Sequence, residues 1–340
     1  MSRRDFLRSS AVVGASSVLG GLGVSELKAQ QNPPEGPIRI IMAGYGPPTT
    51  SFSLALKRMG DRIEAKFPGN VEVKYVYNII DLGYKGLDIL WLVEEGVLTL
   101  GYQSSSYLTG RVPNLGLVDL PFLFSDNLTA RSAMDGELGQ RLTESIEQDM
   151  DYRVLGYFEN GLRHMSNRVR PVRTPADMKD LSIRVLPSKV HERTFQLLGA
   201  KPEIMDLSEV IERVKAGTID MQENPFANTV TYGVHNFHKH HTASNHFYIS
   251  RPIFFHRPTF DSWPEELQTE MRAAVADAVA FQRSLKDQEE TDAAAAIREA
   301  GGEIAELTPA ETQLFIEAVR PVYEDAQTQY SQELLDLLVL

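Results

Sequence analysis

Gly161-Leu162-Arg163-His164, Leu181-Ser182-Ile183-Arg184-Val185-Leu186-Pro187 and Gly217-Thr218-Ile219-Asp220-Met221-Gln222-Glu223-Asn224-Pro225 decide how this chain of 340 residues is read. Arg163 and Arg184 stand in apolar surroundings that look like a turn and a strand. A buried cation is costly unless it is paired. Arg184 is the sharper case, because Ile183 and Val185 flank it and a strand buried on both faces carries it inward. No block of acids stands beside it in sequence. Two explanations follow. Glu159, Glu223 or Asp220 closes an internal ion pair, or the partner is a ligand carboxylate, which the planar guanidinium fork matches with two hydrogen bonds. Asn224 is held extended by Pro225, and its amide can donate to the same ligand. Tyr45, Tyr102 and Phe226, near other loops, either cover an apolar ligand body or pack in the core.

Outward from these segments, strand-like and helix-like runs alternate. Residues 38–42 read as a strand that ends in the loop Gly44-Tyr45-Gly46-Pro47-Pro48. Residues 51–67 read as a helix, 71–76 as a strand, 87–93 as a helix and 97–102 as a strand. Residues 129–150 read as one amphipathic helix and 154–158 as the next strand. This order predicts α/β units with mostly parallel sheets. After Pro264 there is no proline or glycine up to Ala300, which predicts a helix of roughly 50 Å crossing two domains. The alternative is two helices broken at a residue such as Asp287. Gly301-Gly302 ends the run. Thr308-Pro309-Ala310-Glu311 then opens a last helix with a capping box.

The first residues name a compartment. Ser2-Arg3-Arg4-Asp5-Phe6-Leu7-Arg8 is a twin-arginine export motif, followed by an uncharged, mildly apolar run over 11–24. That run is too short and too weakly hydrophobic to span a membrane. Cleavage is expected near Ala29, so that 1–29 is the signal peptide. With no cysteine in the chain, there are no disulfides, no thiolate metal sites and no lipidated N-terminal cysteine. The mature protein is therefore expected to be soluble and not membrane-anchored. The net charge is −12. Loss of the signal removes four basic and only two acidic residues, which makes the rest more acidic still. Such a surface repels nucleic acid and anionic membranes, so an anion site must be locally basic.

Enzyme signatures are mostly absent, and no cofactor is expected. There is no G-x-S-x-G elbow and no phosphate-binding loop. Gly44-x-Gly46 runs into two prolines, unlike a dinucleotide site. His191-Glu192 has Phe195 where a zinc protease needs its second histidine. The rival signal is the cluster of His235, His238, His240, His241 and His246, dense enough to suggest a histidine-rich metal-binding exported protein. No carboxylate or cysteine is interleaved among these residues.

Taken together, Gly-Leu-Arg at 161–163, Leu-Ser-Ile-Arg-Val-Leu-Pro at 181–187 and Gln-Glu-Asn-Pro at 222–225 resemble the solute-binding proteins of TRAP (tripartite ATP-independent periplasmic) transporters, the dicarboxylate-binding type. Asp119-Leu120-Pro121-Phe122-Leu123-Phe124, Met205-Asp206-Leu207-Ser208-Glu209-Val210 and the long helix extend the likeness over essentially the whole mature chain. The resemblance implies a periplasmic binding protein-like α/β fold, with two α/β domains around a cleft and a long domain-spanning helix. It implies domain I from 30–160 plus 249–288, and domain II from 161–248 plus 289–340. It further implies that Arg184 makes the main salt bridge to a ligand carboxylate, that Arg163 assists, and that Asn224 binds the same end. Gln103 falls near a position that reaches the ligand from the opposite domain. The implied function is non-enzymatic. An organic acid anion is captured in the periplasm and delivered to TRAP membrane permease subunits, with import driven by an ion gradient. Met221 replaces the usual glycine before Gln-Glu-Asn-Pro, and residues 77–86 lack the usual Gly-Gln-Leu-Gly pattern. These departures bear on the substrate more than on the role.

Overall fold

The computed structural model describes residues 36–338. The export segment at 1–29 and its cut near Ala29 lie outside the described residues. The described residues open with β1 (Ile38–Ala43), α1 (Ser51–Lys66) and β2 (Val71–Val76), a parallel β-α-β unit. α2 (Asp88–Glu94) leads to β3 (Leu100–Tyr102), parallel to β1 on its other side. After α3 (Asn127–Asp135) and α4 (Glu137–Asp149) comes the long strand β4 (Tyr152–Leu162). The next strand, β5 (His164–Asn167), belongs to a second sheet. That sheet is built further by β6 (Ser182–Val185), α5 (Lys189–Leu197), β7 (Lys201–Ile204), α6 (Leu207–Lys215), β8 (Met221–Asn224), α7 (Phe226–Thr231) and β9 (His240–Ala243). β10 (Tyr248–His256) returns the chain to the first sheet. α8 (Arg257–Asp261), α9 (Glu265–Glu299), β11 (Glu303–Glu306), α10 (Pro309–Gln329) and α11 (Gln332–Leu335) follow. The strand orders are β2-β1-β3-β10-β4 and β11-β9-β5-β8-β6-β7.

The α/β expectation holds, but the sheets are mixed rather than mostly parallel. β10 runs antiparallel to β3 and β4, and β5 runs antiparallel to β8 and β9. The reason is the double crossing. The chain passes from the first sheet to the second at Arg163 and back between β9 and β10, and strands that carry it across cannot all share the direction of the β-α-β windings. Arg163 N–H donates to Phe247 O at 2.8 Å, tying the two crossings together. Gly161, two residues before it, has φ +94°, a backbone that L side chains rarely adopt.

Residues 129–150 form two helices, not one. Gly136 is extended (φ −94°, ψ −155°), ending α3 and starting α4. Gly139 fits because it has no side chain: a Cβ there would meet Met134 O at 1.8 Å.

α9 is unbroken over 35 residues, with no interruption at Asp287. At 1.5 Å per residue it is about 52 Å long. It packs on α1 and β4 beside the first sheet and on α7 and β11 beside the second. Two adjacent glutamates join it to both halves. Glu289 accepts from Ser51 N and Oγ at 2.8 and 2.9 Å, at the start of α1. Glu290 accepts from Phe226 N and Ala227 N at 2.9 and 3.3 Å, at the start of α7. Lys286, almost fully buried, lies 3.4 Å from Glu289 and 3.7 Å from Glu290. At the far end Thr308 and Glu311 form the expected capping box. Replacing Glu289 by alanine leaves Ser51 N–H without its acceptor, and urea unfolding should show a loss of about 1 kcal/mol.

Candidate functional site

In open α/β sheets, ligands sit beyond the carboxyl ends of the strands. Here the residues that follow β1, β3, β6 and β8 border one cavity of about 20 Å³: Tyr45, then Ser104 and Tyr107, then Leu186, then Asn228. That volume is the room of about one water molecule. Asn224 and Arg184 close it from the second sheet, Arg163 from the crossing between the sheets, and Arg251 from β10. A larger cavity of about 320 Å³ adjoins it, sharing Asn228, Tyr232 and Arg251.

Arg184 lies in the interior strand β6, between β7 and β8, and is 2 % exposed. Its Nε donates to Met205 O at 3.0 Å and its Nη2 to Tyr107 Oη at 2.8 Å. Both acceptors are neutral. Its register partner on β7 is Glu203, but that carboxylate is bound by Arg213 at 2.5 Å. Among the described residues no carboxylate forms an ion pair with Arg184. A buried full charge met only by neutral oxygens is the arrangement expected of an anion site.

Arg163 differs. The internal explanation holds for it, because Glu223 supplies the missing partner. The Nε and Nη2 of Arg163 donate to the two carboxylate oxygens, and Nη2 also donates to Glu223 O at 2.6 Å. Both side chains are buried. Burial by itself raises the Glu223 pKa, but the Arg163 charge and the His246 ring beside it outweigh burial and hold it well below the usual carboxylate range. Arg163 thus borders the cavity with its charge already matched.

Asn224 borders the cavity, with Nδ2 donating to Gln222 Oε1 at 2.6 Å and a second N–H left over. Tyr45 also borders it, its hydroxyl 3.4 Å from Ser104 Oγ. The two remaining residues lie apart from this cavity. Gln103 does not border this cavity. Its amide is spent on the backbone, with Nε2 donating to Gly86 O at 2.6 Å and Oε1 accepting from Ser104 N at 2.8 Å. It shapes the loop that presents Ser104. Phe226 packs away from the cavity with Ala293 and Ile297, its ring stacked on His164 at 4.0 Å. Tyr102, also considered as a cover, lines only the larger neighbouring cavity.

Sequence reasoning missed Ser104, Tyr107, Asn228, Tyr232 and Arg251. The first four carry no pattern of their own. Arg251 carried a weaker form of the Arg184 signal, a cation in the strand Tyr248-Ile249-Ser250-Arg251-Pro252-Ile253 with serine and proline beside it. The sequence reading also did not foresee bonds across the cleft beyond the cavity. Gly86 N and Leu87 N donate to Asp206 at 3.2 and 3.0 Å, and Thr109 Oγ1 donates to Pro187 O at 3.0 Å.

The fold does not gather the clustered histidines around one point. Among the described residues no three His, Cys, Asp or Glu side chains are grouped to hold an ion. His240 and His241 are successive in a strand, so they point to opposite faces. His238 Nδ1 lies 3.0 Å from Ser166 Oγ, and His241 Nε2 lies 2.9 Å from His238 O. Burial pushes His164, His238 and His241 down to about 3, about 3 and about 4.

Comparison with known proteins identifies what this arrangement is similar to. The family model described as bacterial extracellular solute-binding protein, family 7, matches residues 42–329. A twin-arginine translocation signal matches residues 1–20. The 2,3-diketo-L-gulonate-binding periplasmic protein YiaO of Escherichia coli is 29% identical over 80% of this chain and 81% of its own. The C4-dicarboxylate-binding periplasmic protein DctP of Rhodobacter capsulatus is 28% identical over 95% and 94%. A TRAP periplasmic solute-binding protein from Sulfurospirillum deleyianum, solved with bound succinate, is 25% identical. It superposes with a TM-score of 0.84 over 89% of this chain and 98% of the other.

Two expectations follow from the site. Replacing Glu223 by glutamine strands the buried Arg163 charge and should cost about 3–5 kcal/mol in chemical denaturation. An unfolded histidine binds a proton near pH 6.5, whereas the three buried ones resist protonation until about pH 3–4. The unfolded chain therefore holds more protons in that window, and stability falls as the pH drops from 6.5 toward 4. The loss should be on the order of 1 kcal/mol per pH unit for each histidine, read from urea midpoints. Replacing each histidine by glutamine should flatten its share of that slope.

Proposed function

Because the chain belongs to family 7 of the bacterial extracellular solute-binding proteins, we propose that its cleft captures a carboxylate-bearing organic acid for a TRAP membrane permease. The twin-arginine signal exports it to the periplasm. The observation that carries the reading is Arg184, buried to 2 % exposure and met inside the protein by neutral oxygens alone. A carboxylate in the cavity supplies the missing charge. Desolvation costs both groups hydration, and the weak local dielectric strengthens their attraction. Asn224 offers its second N–H to the same carboxylate, and Arg163 holds that corner of the cavity in shape through Glu223. The bacterial relatives that bind 2,3-diketo-L-gulonate and C4-dicarboxylates support an organic acid as the solute. The family is one of transport, and the site calls for no chemical step.

The two domains of this reading are 30–160 with 249–288, and 161–248 with 289–340. Capture is a hinge motion between them, favoured by contacts made only when the cleft is closed. Tyr107 to Arg184, Thr109 to Pro187, and Gly86 and Leu87 to Asp206 are contacts of that kind. They span the cleft and break when it opens. The small cavity beside Arg184 fits a closed arrangement, so solute entry requires the domains to part.

The test is calorimetry with a panel of mono- and dicarboxylates and sugar acids. Arg184→Ala should weaken binding of the acid that fits by at least ~2 kcal/mol, because a buried charge loses its partner. Arg184→Lys should weaken it too, because the fork is lost. Unchanged affinity in Arg184→Ala would remove the carboxylate from this position.

A further inference from the structure

A separate crevice of about 450 Å³ shares no residue with the cavity beside Arg184. Thr109 and Gly116 border it on one side, and Pro187, Ser188 and Lys189 on the other. Thr109 Oγ1 donates to Pro187 O at 3.0 Å, joining the two sides.

The helix α5 begins at this crevice. Ser188 holds its cap position, yet the serine side chain caps nothing. The first bond of the helix runs from Glu192 N to Ser188 O at 3.0 Å. The N–H groups of Lys189, Val190 and His191 therefore have no acceptor within the helix. Among the described residues they find none outside it. Independently of these groups, the Ser188 hydroxyl is also idle. Ser188 is 1 % exposed, borders the crevice, and its Oγ is buried without a partner. A buried hydroxyl left unbonded is costly, so the position calls for an acceptor that the chain does not supply.

The surrounding charge and donors agree. Lys189 is exposed, forms no ion pair among the described residues, and stands at the positive end of the helix dipole. Arg193, one turn further, already meets Asp325 at 3.3 Å. Tyr330, just after α10, borders the crevice with a hydroxyl that has no partner among the described residues. Gly116 leaves room for that hydroxyl, because a Cβ there would overlap it. Burial, and after it the Asp119 carboxylate, hold Tyr330 above the usual tyrosine range, so its hydroxyl stays a donor. Asp119 itself does not border the crevice. It is buried, with Ser106 Oγ donating to it at 2.7 Å and His191 Nε2 3.5 Å away.

We infer that the mouth of α5 binds a small oxyanion such as inorganic phosphate, at the N–H groups of residues 189–191 and the Ser188 hydroxyl, with Lys189 supplying the charge. A tetrahedral oxyanion presents acceptors in several directions, which suits donors that come from main chain, hydroxyl and ammonium together. The site is additional to the solute cavity and takes its own ligand.

The test is amide NMR on the mature protein, titrated with inorganic phosphate against chloride at equal ionic strength. Phosphate should move the amide resonances of Lys189, Val190 and His191, in the natural protein and in Arg184→Ala alike. Lys189→Gln should raise the half-saturating phosphate concentration by about two- to fivefold, and Lys189→Glu by more. Lys189 is exposed, so these variants keep the fold. No movement of the three amides overturns the proposal, as does equal movement with chloride or an unchanged titration in Lys189→Glu. A response present in the natural protein and lost in a folded Arg184→Ala would put the phosphate in the solute cleft, and overturns it too. If Arg184→Ala does not fold, the natural protein and the Lys189 variants decide. None of these readouts depends on solute affinity, so the reading of Arg184 stands or falls separately.

Discussion

The buried pair of Arg163 and Glu223 is the fixture on which the cleft depends. It joins the point where the chain leaves the first sheet to β8, two residues before Pro225. Because Arg163 grips both the carboxylate and the main-chain oxygen of Glu223, the angle of β8 to the crossing is set from two directions. His246 stands beside the same carboxylate, in the second crossing. One desolvated ion pair therefore references both crossings and the strand that presents Asn224. Such a pair adds little net stability over an apolar substitute. What it supplies here is position, and Arg184 on the neighbouring strand β6 inherits that position through the ladder with β8.

Around this fixture the protein separates its charges. The chain as a whole carries −12, yet the side chains that border the cavity are cationic or neutral. An exposed acidic surface acts on a small anion over about 8–10 Å at physiological salt. Inside the cleft, with little water to screen it, the guanidinium field prevails. On the proposed reading recognition is local, and it depends on the cleft being shut.

Much of this was legible in the sequence, for reasons that can be stated. Arg184 was readable because β-branched and apolar neighbours on both sides force a strand inward. The capping box of α10 and the uninterrupted α9 were readable because both signals are local. The mixed direction of the sheets was not, since it depends on which sheet each crossing strand joins. Glu223 was one of three candidate partners for the arginines; it lies 60 positions from Arg163, and only the antiparallel pairing of β5 with β8 selects it. The break at Gly136 was hidden because the apolar spacing continues on both sides of it. Gln103 and Phe226 were placed by their neighbourhood, and each turned to a structural task once the loops around it were set. Arg251 was passed over because Ser250 and Pro252 flank it, where Arg184 has isoleucine and valine.

Adjacent residues on a helix point about 100° apart. Glu289 and Glu290 therefore leave α9 in two directions, and each holds the first turn of a helix from a different side of the molecule. With no glycine or proline in its 35 residues, α9 has no built-in joint at which to bend. Parting of the two domains must therefore be absorbed by the strand crossings and not by a bend within α9. Tied to the start of α1 and to the start of α7, the helix moves as one piece. The places left to give are short passages of chain between the sheets, so the opening of a broad cleft is decided by a handful of backbone torsions.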